Sequence, residues 1–216
     1  MTTTQPTKLD AAHFDAKARQ WDENPVFQGR GLKIAQAIRQ AVPLNKSMSA
    51  LDYGCGTGLL SFPLKDELGA ILMADSSGGM LDVVAGKIAA LGINHITPVK
   101  LDLMIDPPPA QRFDLIYTSM TLHHVPDTDQ ILRLFHDLLQ PGGYLCIADL
   151  DQEDGSFHGV EVDVHHGFDR ADLGRCAVQA GFADVAFQTV FSIAKERESG
   201  QRDYPVFLMT ARRAVA

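Results

Sequence analysis

Apolar positions recur along this chain in two alternating periods. From Leu9 to Gln28, Phe14, Ala18 and Trp21 fall on one helical face, and Ile34, Ala35, Ile38 and Val42 form a second stripe up to Pro43. Two helices are therefore predicted ahead of the first strand. An apolar strand then runs through Leu51 into a glycine-rich stretch. The pattern continues with a helix over about Leu59 to Leu68 ended by Gly69, a strand from Ala70 to Asp75, and a helix over about Gly79 to Leu91 that stops at Gly92. Ile96 to Leu101 is a short β run ending at Asp102, and Pro107-Pro108-Pro109 forbids a regular helix directly behind it. Phe113 to Thr118 is the next strand. Asp127 and Gln130 stand where a capping box would open a helix with Ile131, Leu134, Phe135 and Leu138 on one face, ended by Pro141-Gly142-Gly143. Tyr144 to Ala148 reads as a buried strand, Asp149 to Gly167 as a long polar loop, and Asp169 as the cap of a helix that stops at Gly181. Val185 to Ala194 and Val206 to Ala211 are two β runs joined by a charged turn.

Seven strands in this order predict an α/β fold. Strands alternating with helices imply a parallel sheet with right-handed crossovers, and the last two, joined directly, imply an antiparallel hairpin at one edge. A length of 216 residues fits one domain, 1–216. With 45% hydrophobic and 21% charged residues the composition is that of a globular protein, and no apolar run approaches a membrane span. Met1 to Lys8 lack the hydrophobic stretch of a signal peptide, so the expected location is cytoplasmic. Cys55, Cys146 and Cys176 stand far apart without a Cys-x-x-Cys pair, which indicates neither a zinc site nor a disulfide framework. A net charge of −8 and the lack of a basic cluster argue against a nucleic-acid partner and favour a small molecule. Arg212-Arg213 and the Lys195 to Arg202 segment read as a solvated strand end and turn.

The candidate chemistry begins at Leu51 to Gly58, Leu-Asp-Tyr-Gly-Cys-Gly-Thr-Gly, where a strand meets three glycines at alternate positions. Such a loop lets a ligand approach bare backbone while the amides of the following helix point at it. Asp75 closes the next apolar run roughly twenty residues on, where nucleoside-binding folds place an acid on ribose hydroxyls. A dinucleotide fingerprint fits less well, because Gly-x-Gly-x-x-Gly counted from Gly54 ends on Leu59 and from Gly56 on Ser61. No Tyr-x-x-x-Lys pair exists either: Tyr53, Tyr117, Tyr144 and Tyr204 are followed four residues later by Thr57, Thr121, Ala148 and Leu208. A nicotinamide-dependent oxidoreductase is thus a distant alternative.

Asp-x-Gly-x-Gly-x-Gly at Asp52 to Gly58, followed by Asp75, resembles the first two motifs of the class I S-adenosylmethionine-dependent methyltransferases, and the closing hairpin resembles their sheet. The resemblance implies a Rossmann-like seven-stranded, mostly parallel sheet with helices on both faces, a helical lid over 1–43 and a core over 48–216. It also implies S-adenosyl-L-methionine as cofactor and S-adenosyl-L-homocysteine as product. The matching cofactor positions are Asp52, Gly54, Cys55, Gly56 and Gly58 in the loop, Asp75 with Ser76, Met80, Asp102 with Leu103, and Ser119. Asp75 would accept from the ribose hydroxyls, Asp102 from the adenine amino group, the Leu103 amide would donate to the ring, and Met80 would lie on its face. Taken singly, Asp75 reads equally as a helix cap, Asp102 as a turn residue and Met80 as core.

Tyr117 to Asp127, which carries His123 and His124, resembles the fourth-strand segment of small-molecule methyltransferases, including the quinone-biosynthesis branch. Either histidine would face the substrate mouth as a base or substrate contact, or would cap the neighbouring helix. His158 and His165-His166 follow in the next loop, where they shape a substrate pocket or a polar surface; their spacing fits no zinc signature and no metal is expected. Phe14 and Trp21 line the lid or pack one amphipathic helix on the sheet. The acceptor atom and the oligomeric state stay open, as does a protein that binds the cofactor without turnover.

Overall fold

A computed structural model describes residues 11–159, 162–197 and 200–215 of the chain. Its centre is a seven-stranded sheet of β1 (Ala50–Tyr53), β2 (Ile71–Asp75), β3 (Ile96–Lys100), β4 (Phe113–Ser119), β5 (Leu139–Leu150), β6 (Phe182–Arg197) and β7 (Gly200–Arg213). The spatial order is β3-β2-β1-β4-β5-β7-β6. β1 to β5 pair in parallel, and β7 runs antiparallel between β5 and β6. The order reverses between β1 and β4, so both chains leave their carboxyl ends there in opposite directions and open a crevice.

Alternate residues of each strand serve opposite faces. Ala50, Leu115, Tyr117, Cys146 and Leu208 pack on one side with Ile34, Ile38 and Val84, while Leu51, Ile116, Leu145, Ile147 and Phe207 pack on the other with Ile131, Phe135 and Leu173. The helices that cover the sheet are α2 (Pro25–Ala41) and α4 (Gly78–Leu91) on the first side, and α5 (Thr128–Leu138) and α6 (Arg170–Gln179) on the second. Asp127 and Asp169 cap α5 and α6 by accepting from the amides of Gln130 and Asp172, and Gly92 ends α4 in the left-handed conformation at φ 64°.

Several elements differ from the sequence expectation. The first predicted helix is broken: α1 (Ala11–Lys17) passes into a 3-10 turn over Ala18–Glu23, and α2 starts at Pro25 with Asn24 as its cap. Pro25 fits the first helical turn and not an interior, which places the break. The helix expected to Leu68 is the single turn α3 (Ser61–Leu64), and the chain continues from Lys65 through turns. Pro141-Gly142-Gly143 does not end α5, which stops at Leu138; it bulges from the start of β5, where the register jumps from Phe113 opposite Leu139 to Leu115 opposite Tyr144. β5 also runs on past Ala148 through Asp149 and Leu150, two residues predicted as loop.

Candidate functional site

A cavity of about 780 Å³ opens at the crevice between the carboxyl ends of β1 and β4. Its floor is the glycine loop. Gly54, Gly56 and Gly58 all have positive φ (67°, 54° and 85°), as a chain turning this sharply requires. Their surroundings differ. A Cβ on Gly54 would lie 2.2 Å from the Thr121 methyl, and one on Gly58 2.7 Å from Met73 and Phe62, whereas one on Gly56 would meet nothing within 4 Å. Gly56 is thus the open face that a ligand can press against, while Gly54 and Gly58 are glycine because the protein itself packs there.

The carboxylates stand where the strands end. Asp75 accepts from the Gly56 amide at 2.7 Å through one oxygen and from the Ser77 amide at 2.8 Å through the other. This ties the loop to β2, and the carboxylate keeps acceptor capacity toward the cavity. Burial raises the Asp75 pKa against the pull of those amides. Asp52 is 1% exposed and takes a 2.7 Å hydrogen bond from the Ser61 hydroxyl; burial, opposed by that bond, pushes its pKa up to about 7. Asp102 accepts from the Met104 amide at 2.9 Å and lies 3.4 Å from the Tyr53 hydroxyl.

The amino-terminal elements form the opposite wall through Phe14, Trp21, Phe27, Arg30 and Gly31. Two acids latch them. Asp15 accepts from the Ser77 hydroxyl at 2.5 Å and the Gly79 amide at 2.8 Å, and Asp22 accepts from the Thr57 hydroxyl at 2.5 Å and pairs with Lys87 at 2.5 Å. Gly31 lets α2 cross the loop, since a Cβ there would fall 2.5 Å from the Leu59 carbonyl oxygen. Arg30 brings a cation to the cavity; burial draws its pKa down to about 10, opposed by Asp149, so it stays protonated at neutral pH.

At the far end of the cavity lies a histidine cluster. His123, 1% exposed, hydrogen-bonds Asp149 through Nδ1 at 2.7 Å and His158 through Nε2 at 3.0 Å. Asp149 is fully buried, and although burial alone would raise its pKa, His123 and the Leu150 amide hold it below the usual carboxylate range. His124 stacks on His123 with ring centres 4.1 Å apart and meets Phe14 edge-on, and its Nδ1 is buried without a hydrogen-bond partner. Burial first, and the neighbouring histidines second, lower the pKa of His124 and of His158 to about 3.

Of the residues singled out in the sequence, the cavity is lined by Asp52, Gly54, Cys55, Gly56, Asp75, Ser76, Met80, Asp102, Ser119, His124, Phe14 and Trp21. Five others are not among the lining residues: Gly58, Leu103, His123, His158 and His165. Gly58 turns toward Met73 and Phe62 and is outside the lining. Leu103 is buried, and its amide donates to the Tyr53 hydroxyl at 3.3 Å instead of facing a ligand. His123 and His158 sit behind His124, and His165 donates or accepts at the Val125 carbonyl, 2.9 Å away, as a brace for the loop after β4. His123 is enclosed and committed to Asp149, while His124 reaches the cavity, where burial lowers its pKa. Sequence reasoning missed Arg30, Gly31, Thr57, Thr121 and Asp149. A glycine inside an apolar helix signals Gly31, and an acid closing an apolar strand, the pattern that marked Asp75, signals Asp149.

Comparison with known proteins agrees with this geometry. Residues 27–186 match the family model described as a methyltransferase domain. An uncharacterised methyltransferase of Schizosaccharomyces pombe is 34% identical over 119 residues, covering 52% of this chain and 42% of that protein. A ubiquinone biosynthesis O-methyltransferase of Coxiella burnetii is 31% identical over 150 residues, covering 67% of this chain and 63% of that protein. The matched region thus spans less than two thirds of either relative's length. Among solved structures, the putative methyltransferase of Haloferax volcanii in complex with the activator Trm112 superposes with a TM-score of 0.73 at 18% identity, covering 93% of this chain and 97% of that one. Motif, topology and family match converge: the chain belongs to the class I S-adenosylmethionine-dependent methyltransferases.

Proposed function

We propose that the cavity holds S-adenosyl-L-methionine and that the protein transfers its methyl group to a small-molecule acceptor entering from the His124 side. The observation that carries this reading is the pairing of an open Gly56 backbone with two carboxylates, Asp75 and Asp102, around one cavity. The groups fit the donor. Asp75 can accept from the ribose hydroxyls, Asp102 can accept from the adenine amino group, and Met80 offers a polarizable contact to the ring. S-adenosyl-L-methionine brings a methyl group already activated on a positive sulfonium. What the chain must supply is alignment and exclusion of water. Phe14, Trp21 and Phe27 cover the cavity, and Asp15 and Asp22 hold that cover down, so residues 11–43, the described part of the expected lid, act as a lid on a single domain.

Arg30 and His124 face the acceptor region, the first as a fixed cation and the second as a neutral imidazole. This favours an acceptor with an anionic or hydroxyl group, in line with the quinone-biosynthesis relative. A chain of net charge −8 is poorly suited to nucleic acid, and no described helix is long and apolar enough to cross a membrane. A cytoplasmic site of action follows from this reading. A crystal structure with S-adenosyl-L-homocysteine tests it: ribose hydroxyls within hydrogen-bond reach of Asp75 support the assignment, and a ligand bound elsewhere refutes it.

A further inference from the structure

The histidine cluster is more than a wall of the cavity. One ring nitrogen from each of His123, His124 and His158 lies within 4.8 Å of the others, and the Nε2 atoms of His123 and His158 are 3.0 Å apart. Imidazole nitrogens bound to one tetrahedral zinc ion at about 2.0–2.1 Å stand about 3.4 Å from one another, so the His123–His158 pair needs to open by about 0.4 Å and the wider pairs to close by at most about 1.4 Å. The Asp149 carboxylate is the second part of the arrangement. It receives the Nδ1 proton of His123 at 2.7 Å, which fixes the tautomer with the Nε2 lone pair directed at His158. A carboxylate behind a ligating histidine is how metal sites orient their ligands. Third, the buried Nδ1 of His124 has no hydrogen-bond partner among the described residues, an arrangement that costs stability unless something else meets that ring.

We propose that His123, His124 and His158 bind a divalent transition-metal ion of the zinc type, with Asp149 as the positioning residue of His123. Three neutral nitrogens select a borderline ion over Mg2+ or Ca2+, which prefer oxygen. The sequence hides the site because two ligands are adjacent at the end of β4 and the third comes from the loop after β5, a separation that matches no zinc signature. Three protein ligands leave a fourth position. Since His124 lines the cavity, that position is set to take an ionised oxygen or sulfur of the acceptor. This last consequence rests on the donor cavity proposed above; metal binding itself does not.

The test uses the full chain without a histidine tag, stripped with chelator and titrated separately with Zn2+ and Co2+ by calorimetry and absorption. S-adenosyl-L-homocysteine binding is measured in parallel. The expected result is one equivalent of metal with micromolar or tighter affinity and visible Co2+ bands of a tetrahedral site. His158→Gln is expected to weaken binding at least tenfold, and His95→Gln, remote from the cluster, to leave it unchanged. No stoichiometric uptake by the unsubstituted protein, or uptake that His158→Gln does not weaken, overturns the metal site. Loss of S-adenosyl-L-homocysteine binding with metal uptake intact would count against the donor cavity alone. A lack of uptake by the unsubstituted protein is decisive by itself, so misfolding of a variant leaves the proposal open to refutation.

Discussion

At the scale of single residues, the glycine loop separates two uses of the same amino acid. Gly54 lacks a side chain because Thr121 occupies the space, so Gly54→Ala combines an overlap with an unfavourable φ and should cost about 2 kcal/mol of stability. A lowered melting temperature, by about 4–8 °C for a chain of this length, is the expected reading. Gly56→Ala meets no atom and carries only the strain of its φ of 54°, yet its methyl projects into the cavity. It should melt closer to the unsubstituted protein and lose about tenfold or more in S-adenosyl-L-homocysteine affinity by calorimetry. Asp52 supplies a pH dependence. Its pKa rises from 3.8 to about 7 on folding, so the native state binds this proton more tightly than the unfolded chain. Its contribution is fully present below about pH 4 and is lost as the pH rises through about 7. Asp52→Asn removes that loss. The melting temperature of the variant relative to the unsubstituted protein should therefore move in the variant's favour between pH 5 and pH 8, and an unchanged difference would contradict a protonated, buried Asp52.

At the scale of elements, the proposed lid is tied down by charges that no periodicity reveals. Asp22 bridges the 3-10 turn to Thr57 and to Lys87 of α4, and the Asp22–Lys87 pair is partly solvent-accessible. Asp22→Ala should change the melting temperature little, as exposed ion pairs contribute little, but weaken S-adenosyl-L-homocysteine binding about three- to tenfold by loosening the cover. The core strands and helices were legible because their side-chain periods are set by burial on the sheet: Ala50 and Leu51 serve opposite faces and each is fully buried. Boundaries governed by backbone chemistry were less so. Pro25 begins α2 where the apolar stripe runs on unbroken from α1, and α3 stops after one turn although apolar residues continue to Leu68. Asp75 and Asp102, which line the cavity, could be singled out because Asp75 ends β2 and Asp102 follows β3 by two residues. The histidine cluster was not, because His123, Asp149 and His158 meet only after β4 and β5 pair side by side.

At the scale of the whole molecule, the reversal of strand order between β1 and β4 places every proposed functional group around one crevice. The glycine loop and Asp75 lie on the side proposed for the donor, the amino-terminal elements on the opposite wall, and the histidines that follow β4 and β5 on the side proposed for the acceptor. The strands β6 and β7 lie at the far edge of the sheet; Lys195 and Arg197 on β6 bind the Phe157 carbonyl and hold the loop that carries His158. The central claim is that this crevice is a methyl-donor site. Isothermal titration of the purified protein with S-adenosyl-L-homocysteine, repeated with NADH and with Asp75→Ala, tests it most directly. The account predicts saturable binding of S-adenosyl-L-homocysteine, none of NADH, and a loss of at least tenfold in the variant. No binding of S-adenosyl-L-homocysteine, or a preference for NADH, would contradict it.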